Sequence, residues 1–183
     1  MSDQEFKASI ERLTKPAEEG DIDAQYKLGF CFDRKSPGAY NMPKATEWFA
    51  KAAEQGHAAA QYELGWRFLE GKTVSQSYVK AVEWFTKAAE QGYVSAQYEL
   101  GCCFYYGKGL ESEENNYVPK NERKAEEWFI KAAEQGDSLA KSMLLLLKPK
   151  TNAAAKAAWK IAWEPGRLAA EQIIQDILNK RSV

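Results

Sequence analysis

Lys51-Ala52-Ala53-Glu54-Gln55-Gly56 recurs letter for letter at 87–92 and 131–136. A Trp-Phe pair precedes each copy at the same distance: Trp48-Phe49, Trp84-Phe85 and Trp128-Phe129. An alanine follows each copy, Ala60, Ala96 and Ala140, and the first two open Ala-Gln-Tyr-x-Leu-Gly. Three verbatim copies with fixed flanks mark an internal repeat. Each unit is then a supersecondary element that buries its apolar face only against its neighbours.

Each hexapeptide ends in glycine, a helix stop, because a glycine past the last turn takes the left-handed conformation without a Cβ clash. Before the stop, Ala45, Trp48, Phe49 and Ala52 recur at helical spacing, as do Ala81, Trp84, Phe85 and Ala88, then Ala125, Trp128, Phe129 and Ala132. After it, a different helix carries Ala24, Leu28, Gly29 and Phe32, with counterparts Ala60, Leu64, Gly65 and Phe68, and Ala96, Leu100, Gly101 and Phe104. Breakers such as Ser36, Pro37, Gly38 and Pro43 separate the two helices of a unit. Gly29, Gly65 and Gly101 stand mid-helix, where glycine costs ~1 kcal/mol against alanine. Their shared register predicts a close helix crossing.

Ala24 to Ala60 and Ala60 to Ala96 each span 36 residues, whereas Ala96 to Ala140 spans 44. The eight extra residues fall within 107–120, a loop, where insertions are cheap. Function and drift remain equal readings of them.

The pattern predicts an all-α solenoid of stacked antiparallel helix pairs, with units at 21–56, 57–92 and 93–136 and a partial unit at 137–147. Residues 1–20 are expected to form an N-terminal capping helix, with Phe6, Ile10 and Leu13 on one face and Glu18-Glu19-Gly20 where later copies have Glu-Gln-Gly. Residues 148–183 break the pattern at Lys148-Pro149-Lys150. An alanine-rich helix over 152–163 and a last helix over 167–180, with Leu168, Ile173, Ile174, Ile177 and Leu178 on one face, are read as a C-terminal cap.

Composition narrows the function. The chain has 183 residues, 25 Lys plus Arg against 26 Asp plus Glu, and a net charge of −1, which argues against nucleic acid as partner. Residues 1–22 lack the apolar run of a secretory signal, and no apolar run approaches the ~20 residues of a membrane span. Cys31, Cys102 and Cys103 form no disulfide framework, and a single histidine, His57, supplies no zinc site. A cytoplasmic monomer with reduced thiols, no cofactor and no metal is expected. His57 reads as an exposed turn residue, and the Glu-Gln pairs at 54–55, 90–91 and 134–135 read as solvated helix ends.

A unit of Ala-x-x-x-Leu-Gly-x-x-aromatic, a glycine-bearing loop and Lys-Ala-x-x-Trp-Phe-x-Lys-Ala-Ala-Glu-Gln-Gly resembles the Sel1-like repeat, the longer-looped relative of the tetratricopeptide repeat. The resemblance covers about residues 21–147. It implies a right-handed superhelix. It also implies a role among proteins that are mostly adaptors and scaffolds, often in bacterial envelope, virulence or signalling pathways. By analogy with tetratricopeptide packing, the first-helix positions left after subtracting the core line the concave face: Tyr26, Phe30 and Asp33; Tyr62, Trp66 and Leu69; Tyr98, Cys102 and Tyr105. Each triple is spaced i, i+4, i+7 on one helix face. Stacked, they form an aromatic groove for an extended peptide or a partner's helix, rich in the residue types of interface hot spots. The alternative for Tyr26, Tyr62 and Tyr98 is packing between neighbouring helices. The tail either caps the array or occupies this groove.

The implied function is a non-catalytic protein-binding module. It would serve as an adaptor or scaffold, or as an inhibitory partner such as an immunity protein that occludes a toxin. The contrasting reading is a hydrolase of β-lactams or peptidoglycan-like substrates, as claimed for a secreted cysteine-rich branch whose regularly paired cysteines this chain lacks. Ser77-x-x-Lys80 and Ser138-x-x-Lys141 match the Ser-x-x-Lys of such enzymes, but Ser-Asp-Asn and Lys-Thr-Gly are absent. Gly65 and Gly71-Lys72-Thr73 miss phosphate-loop spacing by one residue and follow a helix rather than a strand. A cysteine nucleophile at Cys102 or Cys103 would need a base that the distant His57 does not provide.

Overall fold

A computed structural model describes residues 3–33, 41–109 and 116–147. The expected inward face of Phe6, the breakers at 36–38 and everything expected of 148–183 lie outside the described residues. Eight helices occur among the described residues: α1 (Asp3–Glu18), α2 (Ile22–Asp33), α3 (Met42–Glu54), α4 (Ala58–Glu70), α5 (Tyr78–Glu90), α6 (Val94–Tyr106), α7 (Glu122–Glu134) and α8 (Ser138–Leu147). Each packs chiefly on the helix before and after it. The result is an all-α superhelical solenoid in which α2–α3, α4–α5 and α6–α7 are the repeated pairs.

The second helices start on side-chain caps. Asn41, Ser77 and Asn121 accept from the backbone N–H of Lys44, Lys80 and Lys124 at 3.0, 3.3 and 2.9 Å. The caps' own N–H groups donate to the carbonyls of Phe32, Phe68 and Phe104 at 2.8, 2.9 and 2.7 Å. The two ends of every intra-unit loop are therefore clamped together whatever runs between them. That clamp is why the third unit accepts eight extra residues without losing register. The described end of the insertion is itself docked. Val118 is buried and exchanges backbone hydrogen bonds with Lys108. Asn116 Oδ1 accepts from the N–H of Tyr78, the first residue of α5, at 2.6 Å.

Alanine and phenylalanine build the core. Ala45, Phe49 and Ala52 are wholly buried, as are their counterparts in α5 and α7. A Cβ added to Gly29, Gly65 or Gly101 would lie 2.6 Å from the ring of Phe49, Phe85 or Phe129. The predicted close crossing is thus a phenylalanine ring laid flat on a glycine of its own unit. The Trp beside each Phe packs on the cluster where its own unit's first helix meets the second helix of the unit before, α1 in the case of Trp48. Lys51, Lys87 and Lys131 cover those indoles at 4.0, 3.8 and 3.9 Å from the ring centroid, a cation–π contact that shields the tryptophan's outer edge.

The exposed glutamines of the hexapeptide have a second role. Gln25, Gln61 and Gln97 are buried, and their amides donate to the carbonyls of Ala17, Ala53 and Ala89 at 3.0, 3.1 and 3.1 Å. Their side-chain oxygens accept from Gln55, Gln91 and Gln135 at 2.7, 2.7 and 2.8 Å. The Glu-Gln ends are exposed as expected, and the second residue of each also hydrogen-bonds the buried glutamine of a first helix, linking unit to unit. Gln97→Leu leaves the Ala89 carbonyl and the Gln135 amide without these partners. It is expected to cost about 1–2 kcal/mol, read as a lower urea midpoint at unchanged slope.

Helix α1 takes the place of a second helix: Ala17 stands where Ala53 does, and Ile10 and Leu13 pack against Ala24 and Leu28. At the other end, α8 continues the first-helix pattern with Ala140, Met143, Leu144 and Leu147 buried.

Candidate functional site

The nine positions expected on the concave face are half-buried in the structure. Their aromatic members make local groups rather than a free-standing row. Tyr26 meets Phe30 edge-on at 4.9 Å, and Phe30 stands edge-on over Phe49 at 5.2 Å. One unit on, Tyr62 meets the Trp66 indole edge-on at 6.5 Å, and both rings lean on Phe85, at 5.8 and 6.2 Å. In the third unit Tyr98 packs on Phe129 at 5.8 Å, with Cys102 one turn further along the same helix. The three tyrosines are half-buried, and each packs on the buried phenylalanine of its own unit. Leu69 packs on the second unit's core. Tyr105 meets Tyr106 edge-on at 4.8 Å, and Tyr106 is 63% exposed.

Asp33 is corrected in role. Its carboxylate lies 2.6 Å from Nη2 of Arg67, whose side chain is only 7% exposed. It is the counter-ion of a buried guanidinium and ties α2 to α4, not a free contact for a partner. His57 is also corrected. Its Nδ1 accepts from Ala60 N–H at 3.1 Å and caps α4, and its ring stacks on Tyr26 at 4.2 Å. Tyr93 holds the equivalent place in the next unit, where it forgoes the cap and meets Tyr62 at 5.2 Å. The residues before α4 and α6 thus each pack on the tyrosine of the preceding unit.

Sequence reasoning passed over Glu63, Arg67, Glu99 and Lys108. Glu63 and Glu99 directly follow Tyr62 and Tyr98, and that register was the available signal. Burial raises both carboxyls above the ordinary range; the nearby Arg67 counters this at Glu63, and Lys108 counters it at Glu99. Burial likewise pushes Tyr26 up to about 12 and raises Tyr62, Tyr93 and Tyr98.

The nucleophile candidates have structural work. Ser77 Oγ is occupied as the α5 cap. None of the three cysteines forms a disulfide among the described residues. Burial pushes Cys102 up to about 11 and Cys103 up to about 12, opposite to the depressed value of an activated thiol. A cleft of roughly 340 Å³ between α3, α4 and α5 is floored by Leu64, Phe68 and Trp84, with Thr46 and Thr73 hydrogen-bonded at 2.7 Å on its wall. Its lining pairs no nucleophile with a base. Among the described residues no cluster of His, Cys, Asp or Glu has the makings of a metal site, and no helix is long and apolar enough to cross a membrane.

Sel1 repeats are recognised at residues 22–57, 58–93 and 94–137. Among solved structures, the chain is similar to a Sel1 repeat protein from Oxalobacter formigenes, with 33% identity over 73% of this chain and 95% of that one and a TM-score of 0.61. It is similar to c5321, a protective antigen of uropathogenic Escherichia coli with an SLR fold, at 30% identity over 88% of this chain and 34% of the antigen, with a TM-score of 0.67. Cysteine rich protein B of Helicobacter pylori aligns at 26% identity over 79% of this chain and 98% of that one, with a TM-score of 0.59. No curated protein matches.

Proposed function

This chain belongs to the Sel1 repeat family, and from that premise we propose that it is a non-catalytic module that holds a protein or peptide on the concave face of its first helices. Sel1 repeats are typically protein-interaction modules. One observation carries the reading for this chain. Each unit presents a half-buried aromatic pair or its variant, Tyr26 with Phe30, Tyr62 with Trp66 and Tyr98 with Cys102, braced from behind by a buried phenylalanine. Rings held in place by the core lose little freedom on contact, which favours hot-spot behaviour. The module acts as a monomeric cytoplasmic adaptor or scaffold, or as an inhibitory partner that covers another protein.

Trp66→Ala and Tyr98→Ala are expected to leave the helical circular dichroism in place. Each should weaken capture of the cellular partner by roughly thirtyfold, measured by affinity capture beside wild type. Equal capture by a folded Trp66→Ala/Tyr98→Ala variant would move the binding surface elsewhere. Saturable nitrocefin turnover abolished by Ser77→Ala or Ser138→Ala would replace this reading with the hydrolase one.

A further inference from the structure

We propose that the segment received by this face is basic: a lysine- or arginine-bearing stretch whose cations seat against Glu63 and Glu99, next to Tyr62 and Tyr98. The inference rests on the concave-face reading above and names the chemistry of its partner.

The acids around this face are not alike. Asp33 is paired with Arg67. Asp21 and Asp137 cap α2 and α8 by accepting from Ala24 and Ala140 at 2.7 Å. Glu63 and Glu99 are different: they are half-buried, and neither has a hydrogen bond or an ion pair within 4.0 Å among the described residues. They occupy one register in consecutive units, each directly after the unit's tyrosine, where the first unit has the exposed Lys27.

Their surroundings are aromatic. The charge of Glu63 reaches the phenols of Tyr26, Tyr62 and Tyr93, and that of Glu99 reaches Tyr62 and Tyr98. The cations nearby do not satisfy them. Arg67, four residues from Glu63, is bound to Asp33, and Lys108 acts on Glu99 only from beyond ion-pair distance. A half-buried carboxylate attracts a cation by charge, and the neighbouring tyrosines offer ring surface to the same cation. It repels an acidic segment that aromatic rings alone would tolerate. An aromatic groove specifies burial; two unmatched carboxylates in it specify sign.

The carboxylates also act on the free protein, which supplies an independent readout. Burial holds both carboxyls above the ordinary range, so the folded chain loses stability as pH rises through their folded values. Glu63→Gln/Glu99→Gln should therefore raise the neutral-pH melting temperature, by about 2 °C, while weakening capture.

The binding probes are a fluorescein-labelled amphipathic Leu/Lys peptide and its Leu/Glu counterpart, read by anisotropy on the full chain at low and physiological salt. The Lys peptide should bind at least about tenfold tighter than the Glu peptide, and Glu63→Gln/Glu99→Gln should lose about tenfold. Glu47→Gln/Glu83→Gln, the same charge change on exposed second-helix positions, should lose nothing. Equal binding of the two peptides, no binding of the Lys peptide to wild type, or an equal loss in the Glu47/Glu83 control overturns the proposal. Loss on Trp66→Ala without loss on the carboxylate change overturns the charge inference and leaves the groove standing. No loss on either change overturns both.

Discussion

Phe85→Ala is expected to destabilise the protein by about 3–5 kcal/mol, the range for emptying a large aromatic site in a close-packed interior. Phe85 is wholly buried, and its ring fills the space left by the missing Cβ of Gly65 and supports both Tyr62 and Trp66. The site cannot collapse easily, because the helix backbones on either side are held by the loop clamp at Ser77 and the glutamine ladder at Gln61. The complementary change, Gly65→Ala, places a Cβ 2.6 Å from the same ring. In an exposed helix this substitution would stabilise by ~1 kcal/mol; here overpacking reverses the sign, at about 1–3 kcal/mol. The double variant should be less unstable than the sum of the two, because the new methyl enters the cavity that the ring vacates. Urea denaturation followed by circular dichroism measures all three, and a Gly65→Ala protein more stable than wild type would refute the account of the crossing.

Asp33→Ala is expected to cost about 3 kcal/mol, whereas Arg67→Met should stay within about 1 kcal/mol of wild type or gain stability. The asymmetry follows from which charge is deeper. Arg67 is the buried partner, its Nε has no hydrogen-bond acceptor, and Asp33 is the ion-pair partner it has. Removing Asp33 strands a guanidinium; removing Arg67 replaces it with a flexible apolar chain beside the Phe49 ring. Asp33 itself is 27% exposed, so water relieves part of the penalty, which places the expectation at the low end for broken buried pairs. Asp33→Ala/Arg67→Met should recover most of the loss in the same denaturation assay. An Asp33→Ala protein as stable as wild type would show that Glu63 takes over the pairing.

The repeat was legible because it is written in chemistry that local rules read. Glycine stops, alanine and Trp-Phe stripes, and the 36-residue spacing of the first two units determine helix type, pairing and stacking without reference to distant residues. Mid-helix glycine announced a close approach, since nothing else explains its cost at one register. The glutamine ladder was not legible. Gln97 and Gln135 look alike as polar residues near helix ends, and only their meeting across 38 positions makes one buried and the other its donor. The same holds for Asp33, whose partner stands 34 residues on in a position that carries cysteine in the other two units.

For the candidate site, the sequence alone determined which residues share the exposed face of the first helices, because i, i+4, i+7 spacing is a property of one helix. The tertiary structure decided which of them are spoken for. Asp33 is taken by Arg67, and His57 by its cap and Tyr26, while Glu63 and Glu99 are left without a hydrogen bond or ion pair among the described residues. The physical reason is that periodicity orients a side chain within its own helix, whereas pairing and desolvation depend on what the next unit brings against it.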